Sequence, residues 1–302
     1  MPAHVRILPI LFVATLAWAM PGTAQRDFSS VEIRVTRVAD GIYMLTGSGG
    51  NIGLSVGADG AFIVDDQFAP LSDKIKAAIS TVTDEPVRWV LNTHWHGDHT
   101  GGNENMGSGG AFIVAHDNVY KRMNPAEFAD LVGNSQQSPA AALPVVTFDR
   151  TLTLHWNDED VFTFHVENSH TDGDVIVFYR GANVVHMGDT FFNGTYPFID
   201  VDSGGNVEGM IASSSRVLGM IDGNTRLIPG HGALAGRAEL EAYRDMLTAV
   251  RDRVARLIRE GRSQDQAVAA NPTASFDSEW ETSEAGTERF VRLVYRSLTE
   301  GR

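Results

Sequence analysis

The stretch Asn92–Asn103 reads NTHWHGDHTGGN and places His94, His96, Asp98 and His99 within six residues of one another. Three of the chain's ten histidines are spent here, beside one aspartate and three glycines. Imidazole and carboxylate together suit zinc and similar divalent metals. In an extended segment His94 and His96 point the same way, because side chains alternate with a period of two. Asp98 and His99 then fall on a turn, where they can face a second metal. Gly97, Gly101 and Gly102 are read as letting the backbone fold tightly around the cluster. The competing reading is a solvated, histidine-rich loop.

Two metals need ligands from elsewhere, and the later half offers them in order. His170 lies in NSHTDGD, Asp189 in VVHMGDTFF and His231 in LIPGHG. Each is expected at the carboxyl end of a strand, with Gly or a small residue beside it. Any one alone would be read as structural; the ordered set points to a metal centre.

The surrounding grammar is strands then helices, twice. VEIRVTRVADGIYMLT alternates; NIGLSVG and GAFIVDD follow across Gly-containing turns, and residues 70–82 predict a helix with Ile75, Ile79 and Val82 on one face. VRWVLNT is a buried-strand candidate delivering the quoted stretch, GAFIVAH is another strand, and helical stretches run to about Val132. Residues 134–147 read as a loop and as the seam between halves. Strands are expected at 151–156, 161–167, 174–179 and 183–187, a helix from Val207 to about Met220, and a strand at RLIPG. The helix Arg237–Arg259 carries Leu240, Tyr243, Leu247, Val250, Val254 and Leu257 as an apolar stripe, and residues 284–299 repeat the pattern. Two face-to-face sheets with helices outside bury both apolar sets.

The bulk numbers narrow the function. The chain has 302 residues, 43% of them apolar, and a formal net charge of −14; its pI is near 5.1. Lys74, Lys76 and Lys121 are the only lysines. That charge argues against nucleic acid or an acidic membrane as partner. No cysteine is present, which excludes disulfides, a thiol nucleophile and thiolate ligands. MPAHVRILPILFVATLAWAMPGTAQ has a short basic start, an apolar run from Ile7 to Met20 and small residues after Pro21-Gly22, the layout of a cleavable secretory signal. Cleavage is placed after Ala24, so residues 1–24 are a leader. Residues 25–302 are one domain with halves near 31–133 and 148–302, and its expected location is the periplasm or outside the cell. No stable membrane insertion is expected after cleavage.

With THWHGDH, HTDGD, GDTFF and PGHG in place, the chain resembles the metallo-β-lactamase-fold hydrolases from about Val31 to Tyr243. The resemblance implies an α/β fold, an αββα sandwich of two similar halves, with two zinc ions at one edge of the sheets. Carried over, His94, His96 and His170 bind the first zinc, Asp98, His99 and His231 the second, and Asp189 bridges them. The implied activity is hydrolysis of a small carbonyl compound by a hydroxide shared between the metals, with Asp98 also helping to move a proton. β-Lactam ring opening comes first, because of export and because GTYPFIDVDSGGNVEGMI after Asp189 looks like segments in exported relatives of the β-lactamase branch. Two departures point elsewhere. A large subclass of zinc β-lactamases has Cys where Asp189 stands, and there is no Lys or Arg between Asp189 and Arg216, where many β-lactamases hold the drug's carboxylate. The pair His99 and Asp189 is the pattern of glyoxalase-II-like thioesterases and lactonases, the alternative reading.

An iron-dependent oxidoreductase on the same fold is a further alternative, although flavin-linked di-iron relatives carry Glu at the His96 position. A nuclease is disfavoured by the acidic chain and the leader, and a non-catalytic metal-binding protein by the complete donor set. Around the motifs, Asp65 and Asp66 have two open readings: carboxylates behind the ligand imidazoles, or a capping turn before Pro70. Trp95 reads as packing the motif. Phe191, Phe192, Tyr196 and Phe198 read as core or as a pocket lip, and His116, His155, His165 and His186 as structural.

Overall fold

The computed structural model describes residues 27–132, 136–280 and 284–300. The leader expectation therefore lies outside the described residues. Seven strands form the first sheet in sequence order: β1 (Arg34–Ala39), β2 (Ile42–Thr46), β3 (Ile52–Ser55), β4 (Ala61–Val64), β5 (Val87–Leu91), β6 (Phe112–His116) and β7 (Val146–Phe148). The pairs from β1 to β4 are antiparallel hairpins; β4, β5, β6 and β7 run parallel. Five strands form the second sheet: β8 (Thr151–Trp156), β9 (Glu159–His165), β10 (Val175–Tyr179), β11 (Val184–Phe192) and β12 (Arg226–His231). Its order is β12-β11-β10-β9-β8, antiparallel except for β11 and β12.

Alternation assigns the faces. Phe62, Val64, Leu91 and Val114 of the first sheet meet Val161, Val175, Val177, Tyr179 and Ile228 of the second in one apolar layer. The residues between them point outward. Ala61, Ile63 and Val90 pack with Leu71, Ile75 and Ile79 of the helix Ser72–Ile79 (α1) and its preceding 3-10 turn Ala69–Leu71. Short helices then decorate the first half: α2 (Gly97–Thr100), α3 (Asn103–Ser108), α4 (Asp117–Met123) and α5 (Pro125–Val132). On the far side of the second sheet Ile176, Val185 and Met187 pack against α6 (Val207–Leu218), α7 (Arg237–Arg259) and α10 (Glu284–Thr299), with α8 (Gln264–Ala269) and α9 (Asp277–Trp280) between the last two in the chain. The architecture is helix, sheet, sheet, helix, as the patterning requires.

Two details differ from the sequence reading. The seam at 134–147 is not wholly a loop: it holds a 3-10 turn, Ala140–Ala142, and the start of β7, which pairs with β6. A three-residue edge strand is too short to show a period, which is why the pattern is silent there. Likewise β11 runs on to Phe192, so Asp189 lies inside the strand rather than beyond its end. Its register against β12 shifts at Gly188, a bulge that turns Asp189 toward the edge of the sandwich. Gly188 has φ +50° and sits so near Thr93 that a Cβ would be 2.6 Å from the threonine's own. Glycine is the residue that tolerates both.

Candidate metal centre

The centre is built just after β5, at Asp189 within β11, at the last residue of β12 and on the β9–β10 loop. After β5 the chain bends over residues 93–95, is extended at His96 (φ −64°, ψ 146°) and then enters the single turn of α2. The expected extended run is thus replaced by a bend, across which His94 Nε2 and His96 Nδ1 still meet, and Asp98 and His99 come round on the turn. The two asparagines that end the quoted stretch close it. Asn92 Nδ2 donates to Asn103 Oδ1 at 3.1 Å, and Asn103 Nδ2 donates to Asn92 Oδ1 at 2.8 Å, both side chains fully buried. Gly101 and Gly102 are required by close approach, since a Cβ on them would lie 2.8 Å from the Gln67 carbonyl and 2.7 Å from the Asp66 carbonyl, respectively. Gly97 is different: nothing lies within 4 Å of the position of its Cβ, so open space rather than crowding adjoins the turn.

All seven sequence-predicted donors come together. His96 Nδ1 lies 3.1 Å from His94 Nε2 and 2.9 Å from His170 Nε2. Asp98 Oδ2 lies 3.4 Å from His231 Nε2 and 3.7 Å from His99 Nε2. Asp189 stands between the two groups, its Oδ2 3.9 Å from His94 Nε2, 3.6 Å from His170 Nε2 and 3.4 Å from His231 Nε2, its Oδ1 3.1 Å from His99 Nε2. Four donors held 2.0–2.1 Å from one ion are about 3.3–3.4 Å apart from each other by tetrahedral geometry. The observed separations bracket that value. His99 Nε2 and Asp189 Oδ1 are buried and hydrogen-bonded to nothing, facing each other without the alignment of a hydrogen bond. Orphaned buried donors and acceptors of this kind call for an ion. The residues present fit a metal.

The electrostatics say the same. Burial pushes His94 well below the ordinary imidazole range and His170 down to about 4, so both are neutral, the form that binds metal. Burial also opposes charge on His99 and His231, but the Asp189 carboxylate outweighs it. Helped by Asp65 it holds His99 well above its usual value, and helped by Asp98 it lifts His231 to about 9. Asp189 itself is held well below the carboxylate range by His99 and His231 despite complete burial. Positive charge is therefore demanded between these groups, supplied by protons or by a cation.

Behind the donors stand the groups that aim them. Asp65 is one: its Oδ2 accepts from His99 Nδ1 at 2.7 Å and from Thr93 Oγ1 at 2.8 Å, and its Oδ1 accepts from Thr93 N–H at 2.7 Å. Asp66 takes neither reading in full; it accepts from Gly102 N–H at 2.8 Å and so fixes the loop after His99. Neither caps the turn at Pro70, where no side-chain cap is formed. His170 Nδ1 donates to the Phe198 carbonyl at 2.8 Å, and the loop around it is tied to Asp174, which accepts from the backbone of both His170 and Thr171. Three contributors were not singled out in the sequence. Asp200 Oδ2 faces His96 Nε2 at 2.9 Å; its carboxyl, partly desolvated yet bonded to His96 and Ser203, is held down at about 2. Thr93 supports His94 Nδ1 at 3.0 Å. Asn51 Nδ2 donates to the Pro229 and Gly232 carbonyls, each at 2.9 Å, tying the first half to the end of β12. Asp200 was visible only as an acid inside an apolar run, and Asn51 only as one more polar residue in a Gly-rich turn.

The aromatics divide. Phe191 and Tyr196 are core, Tyr196 stacked on Phe290 at 4.7 Å. Phe192 stacks on His231 at 5.2 Å, and Phe198 is exposed beside His96 and His170. Trp95 packs with Ala115, Val119 and Met123. Of the remaining histidines, His116 caps α4 and donates to the Asp149 carbonyl, and His165 stacks on it at 3.8 Å. His186 bonds the Asn51 carbonyl at 3.0 Å, and His155 pairs with Asp160 on the surface. A groove of about 1010 Å³ beside the stacked pair is lined by Lys121, Arg150 and Arg216 among others and touches none of the seven donors. It is set apart from the centre.

Residues 45–257 match the model of the metallo-beta-lactamase superfamily, well over half of the chain. The chain belongs to that superfamily. Among curated proteins it is 28% identical over 165 residues to a hydroxyacylglutathione hydrolase of Polaromonas sp. (strain JS666 / ATCC BAA-500), covering 54% of this chain and 55% of that protein. The match thus spans about half the length of the curated relative. Among solved structures it is similar to DIM-1 metallo-beta-lactamase, at 18% identity and TM-score 0.59 over 72% of this chain and 98% of that one. The metallo-beta-lactamase from Pontibacter korlensis gives 18% and 0.58 over 72% and 99%. A double mutant of the sec-alkyl sulfatase PisA1 gives 14% and 0.69 over 88% and 50%. At these identities the structures share the fold.

Proposed function

We propose that the chain is a two-zinc hydrolase of a small carbonyl compound, an ester, thioester or lactone before a β-lactam. The convergence of seven His and Asp donors at one edge of the sandwich supports it. His94, His96 and His170 would hold one ion, Asp98, His99 and His231 the other, with Asp189 shared. Such a pair, when bound, polarises a carbonyl and brings the pKa of water to ~7. The chain's own groups do the rest. Asp65 and Asp200 keep His99 and His96 aimed, and burial of His94 and His170 keeps water from their far sides. Asp98, which lies at the open side of the cluster, takes up a proton and returns it to the leaving atom.

β-Lactam opening is the second reading. It draws on the segment after Asp189, which does deliver Phe198 and Asp200 to the centre. Export belongs to the same proposal: the mature chain acts in the periplasm or outside the cell, on a small molecule and not on nucleic acid. Among the described residues no helix is long and apolar enough to cross a membrane.

The test is metal content and turnover together. Two zinc ions per chain and chelator-sensitive hydrolysis of a thioester, a lactone or a chromogenic cephalosporin are expected. The double variant His96→Ala, Asp98→Ala should fold and lose about 10³-fold or more in kcat/KM, on the scale of losing the catalytic ions. One bound iron, or undiminished turnover in the double variant, would overturn the two-zinc mechanism.

A further inference from the structure

The run Phe198–Asp200 grips two donor histidines from outside. The Phe198 carbonyl accepts from His170 Nδ1 at 2.8 Å, and the Asp200 carboxylate faces His96 Nε2 at 2.9 Å. The Phe198 ring is thereby set beside the centre, its centroid 6.1 Å from that of His96 and 5.9 Å from that of His170. It is 37% exposed, while Phe191, Phe192 and Tyr196 of the same segment are buried. A lone exposed aromatic needs no explanation on an ordinary surface. This one has its own carbonyl bonded to His170, and Asp200 two residues on is bonded to His96, so its ring is held next to the centre.

No guanidinium or ammonium pairs with the acids of the centre among the described residues. The ion-pair partners of Asp98 and Asp189, and of Asp200, are all imidazoles among the described residues. The chain has no Lys or Arg between Asp189 and Arg216. Arg122, 5.8 Å from the Trp95 ring, is occupied by two bonds of 2.7 Å to Asp172. With no Lys or Arg paired to these acids among the described residues, a carboxylate on the substrate would lie near Asp98 and Asp200 with the metals as its counter-charge.

We propose that Phe198 is a specificity-determining residue, and that the substrate is an uncharged ester, thioester or lactone whose apolar acyl part lies on the Phe198 ring. The proposal rests on the hydrolytic reading above. It disfavours substrates that carry a carboxylate close to the scissile bond, β-lactam drugs included.

The experiment uses the zinc-loaded mature chain and straight-chain hydroxamates, which need no turnover to report. Dissociation constants are measured by calorimetry for the acetyl, butyryl, octanoyl and hemisuccinyl compounds. A fully buried methylene gives about four-fold in affinity, so about two-fold on a half-exposed ring, or roughly fifty-fold for the six that separate octanoyl from acetyl. The hemisuccinyl compound should bind about ten-fold more weakly than butyryl. Phe198→Ala should collapse the octanoyl-to-acetyl ratio to a few-fold, and Phe198→Leu should keep most of it. A ratio that survives Phe198→Ala, or a hemisuccinyl compound that matches butyryl, overturns the proposal. The matching p-nitrophenyl esters separate the two levels. Chain-length preference in binding with no metal-dependent turnover of any ester would sink the hydrolytic reading and leave the apolar wall. Metal-dependent turnover without chain-length preference would do the reverse.

Discussion

Replacing Asp65 by Asn should separate what holds the fold from what aims the metal. Asp65 is fully buried and accepts three hydrogen bonds, from Thr93 N–H, Thr93 Oγ1 and His99 Nδ1, at 2.7, 2.8 and 2.7 Å. An amide keeps one acceptor oxygen and turns an NH2 toward the other donors. If the oxygen stays by His99, the Thr93 N–H is left facing a donor; if it flips, His99 is. One hydrogen bond to a charged group is lost, at about 1.5–3 kcal/mol, and one buried donor goes unsatisfied, at about 1–3 kcal/mol. A loss of about 3 kcal/mol lowers Tm by about 5–10 °C in a domain of this size. Because His99 loses its orienting carboxylate, zinc affinity at the Asp98–His99–His231 group should also fall by about 10–100-fold. Melting in EDTA reads the first effect and competition against a chromophoric chelator the second. An unchanged Tm would refute the hydrogen-bond accounting. An unchanged zinc affinity with a lowered Tm would show that Asp65 serves Thr93 alone.

Gly50→Ala would place a methyl against the His99 imidazole, which cannot retreat from Asp65; bound zinc measured by plasma emission should drop from two per chain toward one, with overpacking costing about 1–3 kcal/mol in a chemical melt. Asp200→Ala should weaken zinc binding at the His94–His96–His170 group by about 10–100-fold, seen in chelator competition, while moving Tm by only a few degrees. In the metal-free chain His231 titrates at about 9, above its unfolded value, so its contribution to stability is complete below pH ~6.5 and is lost as pH rises through 9. Melts in EDTA should therefore fall between pH 7 and 9.5. Zinc must displace that proton, so apparent affinity should weaken on acidification below pH 9 by up to about ten-fold per unit; a pH-independent dissociation constant would contradict the assignment.

The legible parts were those in which one residue type has one physical use. A stripe such as Leu240, Tyr243, Leu247, Val250 and Val254 has to be buried, and α7 runs over the expected Arg237–Arg259. The seven candidate donors stood out because imidazoles and aspartates crowded beside glycines have few other uses, and the fold brings them together. What stayed hidden depends on distant partners. Asp200 is one acid among several after Asp189, and only folding brings it to His96, 104 residues away. Asn51 gains its role from carbonyls 178 and 181 residues on. The continuation of β11 past Gly188 could not be seen because glycine reads as a turn, whereas here its left-handed backbone bulges the strand and lets pairing resume.

The bulge at Gly188 and the tie from Asn51 to β12 have a mechanical meaning. His94, His96, Asp98 and His99 ride on the first sheet; His170, Asp189 and His231 ride on the second. Each donor group that could hold an ion draws on both sheets, so an ion gripped there works as a rivet through two plates. Slippage of one sheet against the other by a fraction of an ångström pulls donors from the shell, and metal affinity becomes a gauge of how the plates are seated. Substitutions deep in the Phe62–Val177 layer, far from any ligand, should register on that gauge before they register as loss of fold.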